Sequence, residues 1–217
     1  MSKQVNITLI VDRSGSMSSI ANEVIGGINA FYDEQKKLPD PATVTYVQFD
    51  NVYEQVFKDV ALIDVKYLNR ETFVPRGMTA LYDAIGKTLI EMNPQSDAAQ
   101  IIVIMTDGEE NSSKEFTHAT VKQLVEASQA KGWQIIFMGA NIDAQKVGGS
   151  IGIKSDYINT FAASAKGATA TFDSMSAKLS SVRSAYSKGD SDWQDAGGTM
   201  ADLYDASVGS TNPTAAN

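Results

Sequence analysis

The chain has 217 residues, of which 43% are hydrophobic, so it is long enough to bury one substantial core. It has no cysteine, which excludes disulfides and thiolate metal sites, and its formal net charge of −8 disfavours a nucleic-acid partner. No apolar stretch approaches the roughly 18–20 residues of a membrane-spanning helix. We therefore expect a cytoplasmic globular protein with no membrane span.

The N-terminal third predicts a strand, a helix and a hairpin. The run from Val5 to Val11 is rich in β-branched residues, which is typical of a strand buried on both faces. From Ile20 to Phe31, apolar residues recur every three or four positions and predict a helix. The segment VTYVQFDNVYEQVF then predicts an antiparallel hairpin at a sheet edge, with its turn at Asp50 and Asn51.

The middle of the chain alternates helix and strand. Helical spacing of apolar residues runs from Leu81 to Met92, and a buried strand follows at Ile101 to Met105. A third helix is expected from Thr117 to Ala130, with Thr117 as its N-cap, before a strand at Ile135 to Met138. This alternation predicts an α/β fold: a doubly wound, Rossmann-like, mostly parallel sheet with one antiparallel edge strand and helices on both faces.

The last third predicts one more strand and a long helix. A short helix is expected at 144–148, a strand at 157–161, and a helix from Lys166 to Tyr186 whose apolar stripe is read as core. From Gly189 onward the sequence is rich in Gly, Asp, Ser and Thr, which indicates a loosely ordered tail. We thus divide the chain into a domain at 1–188 and a tail at 189–217. Three apolar side chains could still dock part of that tail: Trp193, Leu203 and Tyr204.

Oxygen-bearing side chains follow the ends of the predicted strands. Asp12, Ser14 and Ser16 follow the first strand, and Asp107 follows the strand at 101–105. Thr79 precedes a helix that should return to the same edge, where ligands bind in doubly wound sheets. Two carboxylates and three hydroxyls suit a hard divalent cation, so we predict a Mg²⁺ site with a coordination position left open, with Mn²⁺ or Ca²⁺ as alternatives.

Three motifs carry a family resemblance. DRSGSM is similar to the D-x-S-x-S signature of von Willebrand factor A domains, GMTAL to their threonine loop and TDGEEN to their aspartate loop. The resemblance, which covers about Gln4 to Phe161 and includes the long helix that follows, implies a complete metal-ion-dependent adhesion site. It implies direct metal contact for Ser14 and Ser16, contact for Thr79 that is either direct or through water, contact largely through water for Asp12 and Asp107, and a partner Glu or Asp as a further ligand.

The resemblance implies a metal-dependent protein-binding module and no enzyme. The chain looks like intracellular prokaryotic or phage-type members, whose partners include AAA+ ATPases, so an ATPase or a phage or host protein is a candidate partner. One alternative is a metal-dependent phosphoryl-transfer or hydrolytic enzyme, disfavoured because there is no cysteine and the lone His118 lies at a helix start. The other is a structural assembly subunit with a metal-locked interface. No oligomeric state is predicted.

Four charged residues lie in the same loops. Arg13 and Arg76 could steer an acidic partner by charge or serve only loop solubility, and the sequence leaves both readings open. Glu109 and Glu110 could tune the site electrostatically, but adjacent acidic residues are mostly solvated loop charge, which is what we expect for them.

Overall fold

The computed structural model describes residues 3–92 and 98–210. Within them, six strands form one sheet: β1 Val5–Asp12, β2 Ala42–Phe49, β3 Tyr53–Ala61, β4 Ala99–Thr106, β5 Gln134–Ala140 and β6 Ile158–Phe161. Their order in the sheet is β3-β2-β1-β4-β5-β6, and every neighbouring pair is parallel except β2 and β3. The predicted fold class is therefore confirmed.

Six α-helices surround this sheet in the described part of the chain. Thr117, the predicted N-cap, accepts a hydrogen bond from the Thr120 amide where its helix begins, and Gly189 adopts φ +84° directly after the longest helix ends. None of the described helices is long and apolar enough to cross a membrane. The helices are α1 Ala21–Lys36, α2 Leu81–Glu91, α3 His118–Ala130, α4 Ala144–Ser150, α5 Ala165–Lys188 and α6 Met200–Ser210.

The direction of the crossovers fixes where a site can form. The connection from β1 to β2 runs one way across the sheet, whereas those leading to β4, β5 and β6 run the other way. Right-handed crossovers in opposite directions put α1 on one face and α2, α3 and α4 on the other, and α5 returns to pack against α1. The order reverses between β1 and β4, so a crevice opens where these two strands end.

The helix α1 approaches α5 at a glycine. A Cβ atom added to Gly27 would lie 1.9 Å from the Phe172 ring, whereas one added to the neighbouring Gly26 would meet nothing within 4 Å. Phe172 belongs to the apolar stripe predicted as core, and it is buried. The close approach of these two helices therefore depends on the absence of a side chain at one position.

Residues 190–210 differ from the loosely ordered tail that the sequence predicts. They pack as a 3₁₀ turn, Trp193–Asp195, and the helix α6, which lies against α5 and β6. Trp193 is buried, as the docking alternative allowed, and so is Met200. The buried Lys178 ammonium donates to the carbonyl oxygens of Ala196 at 2.9 Å and Gly198 at 2.8 Å. The polar composition of the last residues does not reveal these contacts with Lys178, because the acceptors are backbone carbonyls, which every residue carries. Residues 211–217 lie outside the described residues.

Candidate metal site

The site begins where β1 and β4 end side by side. Asp12 closes β1 and is fully buried, and both its carboxylate oxygens are held. The Ser14 amide donates to Asp12 Oδ1 at 2.6 Å, and Thr106 Oγ1, at the end of β4, donates to Asp12 Oδ2 at 2.6 Å. Asp12 thus fixes the start of the first loop and ties it to the neighbouring strand.

Three further oxygens lie in a row at the mouth of this crevice. Ser14 Oγ is 3.1 Å from Ser16 Oγ, which donates to Asp107 Oδ1 at 2.7 Å. Ser14 is buried, whereas Ser16 is exposed and Asp107 is half-buried, so the row leads from the interior to solvent. The structure therefore brings the first loop and the aspartate loop together as the sequence predicts.

The donor set fits a hard divalent cation. Oxygens that neighbour one another around an octahedral Mg²⁺ at about 2.1 Å are about 3 Å apart, and the two spacings in this row are 3.1 and 2.7 Å. Residues 3–92 and 98–210 hold no cluster of three His, Cys, Asp or Glu side chains suited to a metal. A metal here would depend on hydroxyl ligands, which suit Mg²⁺ better than softer ions.

Two hydrogen bonds with Asn111 join Thr79 to the aspartate loop. The Thr79 amide donates to Asn111 Oδ1 at 2.9 Å, and the Asn111 amide donates to the Thr79 carbonyl at 3.0 Å. A Cβ atom on Gly108 would lie 3.0 Å from Thr79 Oγ1, so this hydroxyl lies beside the residue that follows Asp107. All five predicted residues thus lie on loops that meet at one edge of the sheet.

Backbone hydrogen bonds pair the first loop with the threonine loop. The Arg76 amide donates to the Arg13 carbonyl at 2.8 Å, and the Gly15 amide donates to the Gly77 carbonyl at 3.2 Å. Gly77 has φ +68°, and a Cβ atom there would lie 2.1 Å from Asn51 Oδ1. Only glycine satisfies both conditions without strain, so Gly77 sets the approach of the two loops.

A buried carboxylate behind the loops holds both arginines. Asp50 Oδ2 accepts from Arg13 Nε at 3.1 Å and from Arg76 Nε at 2.8 Å, and Asp50 is 1% exposed. Arg13 also donates from Nη1 to Glu54 Oε2 at 2.5 Å. From the sequence, Asp50 is predicted only as part of the hairpin turn. The signal that could have found it is an acidic residue at the end of a strand beside two loops that each carry an arginine.

Two other acidic residues shape the aspartate loop. Asp83 accepts hydrogen bonds from the backbone amides of residues 114–116, and these lower its pKa although burial alone would raise it. Glu110 accepts from the amides of Tyr82, Ser112 and Ser113. The expectation of solvated loop charge is therefore wrong for Glu110. It arose because the sequence shows no partner for a carboxylate whose donors are backbone groups.

Burial shifts the acidity of both site aspartates. It raises the pKa of Asp12 to about 6, against the opposing effect of the hydrogen bonds from Thr106 and Ser14. Burial also raises the pKa of Asp107, against the hydrogen bond from Ser16. Two carboxylates whose charged forms are disfavoured are suited to a cation that restores the charge balance.

We expect the stabilisation by Mg²⁺ to grow as pH rises from 5 to 7. The folded protein without metal holds the Asp12 proton up to about pH 6, above the ordinary value of 3.8, so its stability falls as pH rises through that window. A bound cation favours the carboxylate and removes this loss. Melting temperatures with Mg²⁺ and with chelator, measured at pH 5, 6 and 7, should diverge, and a constant difference would contradict the role of Asp12.

Comparisons with known proteins agree with this fold. The von Willebrand factor type A protein from Catenulispora acidiphila superposes with a TM-score of 0.62 at 16% identity, over 82% of this chain and 43% of that one. Manganese-loaded TRAP protein from Plasmodium vivax gives 0.56 at 16%, over 74% and 69%. Proximal thread matrix protein 1 from the mussel byssus, with a zinc-occupied MIDAS motif, gives 0.56 at 19%, over 86% and 46%.

Identities this low show the fold alone. The chain spans just under half the length of the mussel protein and of the Catenulispora protein. A search of curated proteins finds no match. The model of the von Willebrand factor type A domain, in contrast, matches residues 6–184, from β1 into α5. This chain therefore belongs to the von Willebrand factor type A domain family.

Proposed function

We propose that the chain is a metal-dependent protein-binding module that holds one divalent cation, Mg²⁺ in the cell, and through it binds an acidic side chain of a partner. The observation that carries this proposal is the row of Ser14, Ser16 and Asp107 oxygens at octahedral spacing where β1 and β4 end. Its exposed end faces solvent, so a partner can reach it. Cytoplasmic location remains part of the proposal, on the cysteine-free composition.

Each site residue has a defined role in this proposal. Ser14, Ser16 and Thr79 supply neutral hydroxyl ligands, and Asp12 and Asp107 supply negative charge close to the ion. The bound cation supplies a coordination position for a carboxylate. Because the ion's charge is only partly neutralised by two aspartates that resist ionisation, an added carboxylate from a partner is electrostatically favoured.

Binding is favoured over catalysis by the contacts of the one histidine. His118 Nε2 is 3.2 Å from Ser150 Oγ, and its ring packs edge-on against Tyr82, so its recorded contacts involve none of the five site residues. The related structures are named for a thread matrix protein and a TRAP protein, not for enzymes.

Magnesium-dependent hydrolysis of simple phosphate esters, lost in Asp12→Ala, would establish the enzymatic alternative. Light scattering with and without chelator tests metal-locked assembly.

Ser16→Ala is expected to weaken Mg²⁺ or Mn²⁺ binding by about tenfold or more, which is the effect of losing one good ligand. The melting temperature measured in chelator should not fall. Ser16 is exposed, so the fold does not depend on its side chain. Calorimetric titration measures the affinity, and Ser19→Ala, three positions further in the same exposed turn, is the matched control.

The same titrations test both parts of the proposal. Equal metal affinity in Ser16→Ala and the unmodified protein would overturn the metal site. Normal metal binding combined with no binding of a short aspartate peptide would leave the metal site intact and overturn the binding role.

A further inference from the structure

Arg76 is an exposed arginine that is nevertheless fixed in position. Its side chain is 58% exposed, yet its Nε donates to Asp50 Oδ2 at 2.8 Å, and Asp50 is buried. Exposed arginines usually sample many rotamers, which is one reason why surface ion pairs contribute little. A buried acceptor removes much of that freedom, so the guanidinium of Arg76 is oriented before any partner arrives.

The group that orients Arg76 is itself held on three sides. Asp50 Oδ1 accepts from the Val52 amide at 2.6 Å, Asp50 Oδ2 also accepts from Arg13 Nε, and the Asp50 carbonyl accepts from the Ala80 amide at 2.9 Å. The Arg76 backbone amide donates a hydrogen bond to the Arg13 carbonyl. The backbone and the Nε atom of Arg76 are therefore both held by one frame, formed by Asp50 and Arg13, which lies next to the metal site.

The two arginines differ in how many guanidinium donors they leave exposed to a partner. Arg13 is 4% exposed and donates from Nε to Asp50 and from Nη1 to Glu54, and its remaining nitrogen, Nη2, is buried and out of reach of a partner. Arg76 uses one of the five N–H donors of a guanidinium, and among residues 3–92 and 98–210 its side chain makes no other hydrogen bond. Its two terminal nitrogens can therefore bind a carboxylate end-on, which is the geometry of strong arginine–carboxylate pairs.

Arg76 lies beside the metal loop. Gly77, the next residue, accepts through its carbonyl from the Gly15 amide, and Gly15 separates Ser14 from Ser16. Thr79 lies three positions further along. Arg76 thus belongs to the loop that pairs with the metal loop, and its exposed guanidinium is available to a partner segment whose acidic side chain reaches the metal site.

We propose that Arg76 is a second anchor for the same partner and binds a second carboxylate a few residues from the one at the metal. The partner motif is then a pair of acidic residues rather than a single one. This inference rests on the proposed function, because the first acidic residue is the metal ligand. It assigns the two arginines different roles: Arg13 belongs to the internal frame and Arg76 to the binding surface.

The experiment uses the full chain loaded with Mg²⁺ and a series of short capped glycine peptides. One peptide carries a single aspartate, and the others carry two aspartates separated by none to four glycines. We expect at least one spacing to bind the unmodified protein about tenfold more tightly than the single-aspartate peptide, well above the about twofold gain from having two equivalent residues. For each variant we measure one ratio: the affinity for the best two-aspartate peptide divided by the affinity for the single-aspartate peptide.

In Arg76→Gln this ratio should fall to about two, and in Arg76→Lys it should fall in between, because lysine keeps the charge and loses the end-on pair of donors. Lys37→Gln removes the same charge at the far end of α1 and should keep the full ratio. A ratio near two at every spacing in the unmodified protein, an unchanged ratio in Arg76→Gln, or an equal loss in Lys37→Gln would overturn the inference. If the single-aspartate peptide also fails to bind the metal-loaded protein, the proposed function itself is overturned.

Discussion

Replacing Asp12 by asparagine is expected to remove most of the stabilisation by Mg²⁺ and, at pH 7, to make the protein in chelator more stable than the unmodified protein in chelator. The amide can reproduce both contacts of the carboxylate: its oxygen accepts from the Ser14 amide, and its nitrogen donates to Thr106 Oγ1, which can turn to the Gly108 carbonyl 3.0 Å away. The change therefore removes a charge and keeps the shape.

The expected magnitudes follow from the acidity of Asp12. Burial raises its pKa from 3.8 to about 6, so at pH 7 the buried charge costs the chelated protein up to about 3 kcal/mol, at about 1.4 kcal/mol per pKa unit. We expect Asp12→Asn to recover about 1–3 kcal/mol of that cost. Loss of the anionic charge next to the ion should weaken metal binding by about 100-fold or more, equivalent to about 2.7 kcal/mol.

Chemical denaturation with chelator and calorimetric titration with Mg²⁺ measure the two effects separately. Asp205→Asn, which removes an exposed carboxylate on α6, is the charge-matched control and should change neither. A variant that is less stable in chelator and still gains stability from Mg²⁺ would show that Asp12 serves packing and not the metal.

Gly27→Ala and Gly26→Ala should shift stability in opposite directions although the residues are neighbours in α1. An alanine Cβ at residue 27 would lie 1.9 Å from the Phe172 ring, so α1 and α5 must move apart or the ring must leave its position. Such overpacking costs about 3 kcal/mol. At residue 26 the methyl group meets nothing, and the higher helix propensity of alanine adds up to about 1 kcal/mol.

Thermal unfolding in chelator distinguishes the two variants, because about 1 kcal/mol corresponds to about 2–4 °C in a chain of this size. We expect Gly27→Ala to melt about 6–12 °C lower and Gly26→Ala a few degrees higher. Combining Gly27→Ala with Phe172→Leu should recover part of the loss, since the smaller side chain makes room. A double variant whose loss equals the sum of the two single losses would assign the effect of residue 27 to something other than Phe172.

The sheet and the three site loops were predictable from local patterns. Continuous β-branched runs mark the central strands, and in a doubly wound sheet their carboxyl ends must share an edge, which is enough to bring Asp12 near Asp107. Thr79 follows because its helix, α2, begins at that edge. The spacing of the Ser14 and Ser16 hydroxyls is also predictable, because both side chains lie in one short loop, two positions apart.

The parts that the sequence did not predict depend on contacts between distant residues. Asp50 lies in a hairpin turn, where aspartate is usually exposed, and its burial comes from Arg13, 37 positions earlier, and Arg76, 26 positions later. The role of Glu110 depends on backbone donors, which every residue carries and which no pattern distinguishes. The 3₁₀ turn at Gly15–Ile20, which precedes α1, was not predicted either.

The packed structure of this chain extends past the end of the family match. That match stops at residue 184, within α5, yet the Lys178 ammonium, buried in the same helix, has its two carbonyl acceptors at Ala196 and Gly198. A fragment cut at the family boundary would lose both acceptors of the Lys178 ammonium together with the buried side chains of Trp193 and Met200, so we expect it to be less stable than the chain that continues through α6. A shortened version for biophysical work should therefore keep the chain through α6.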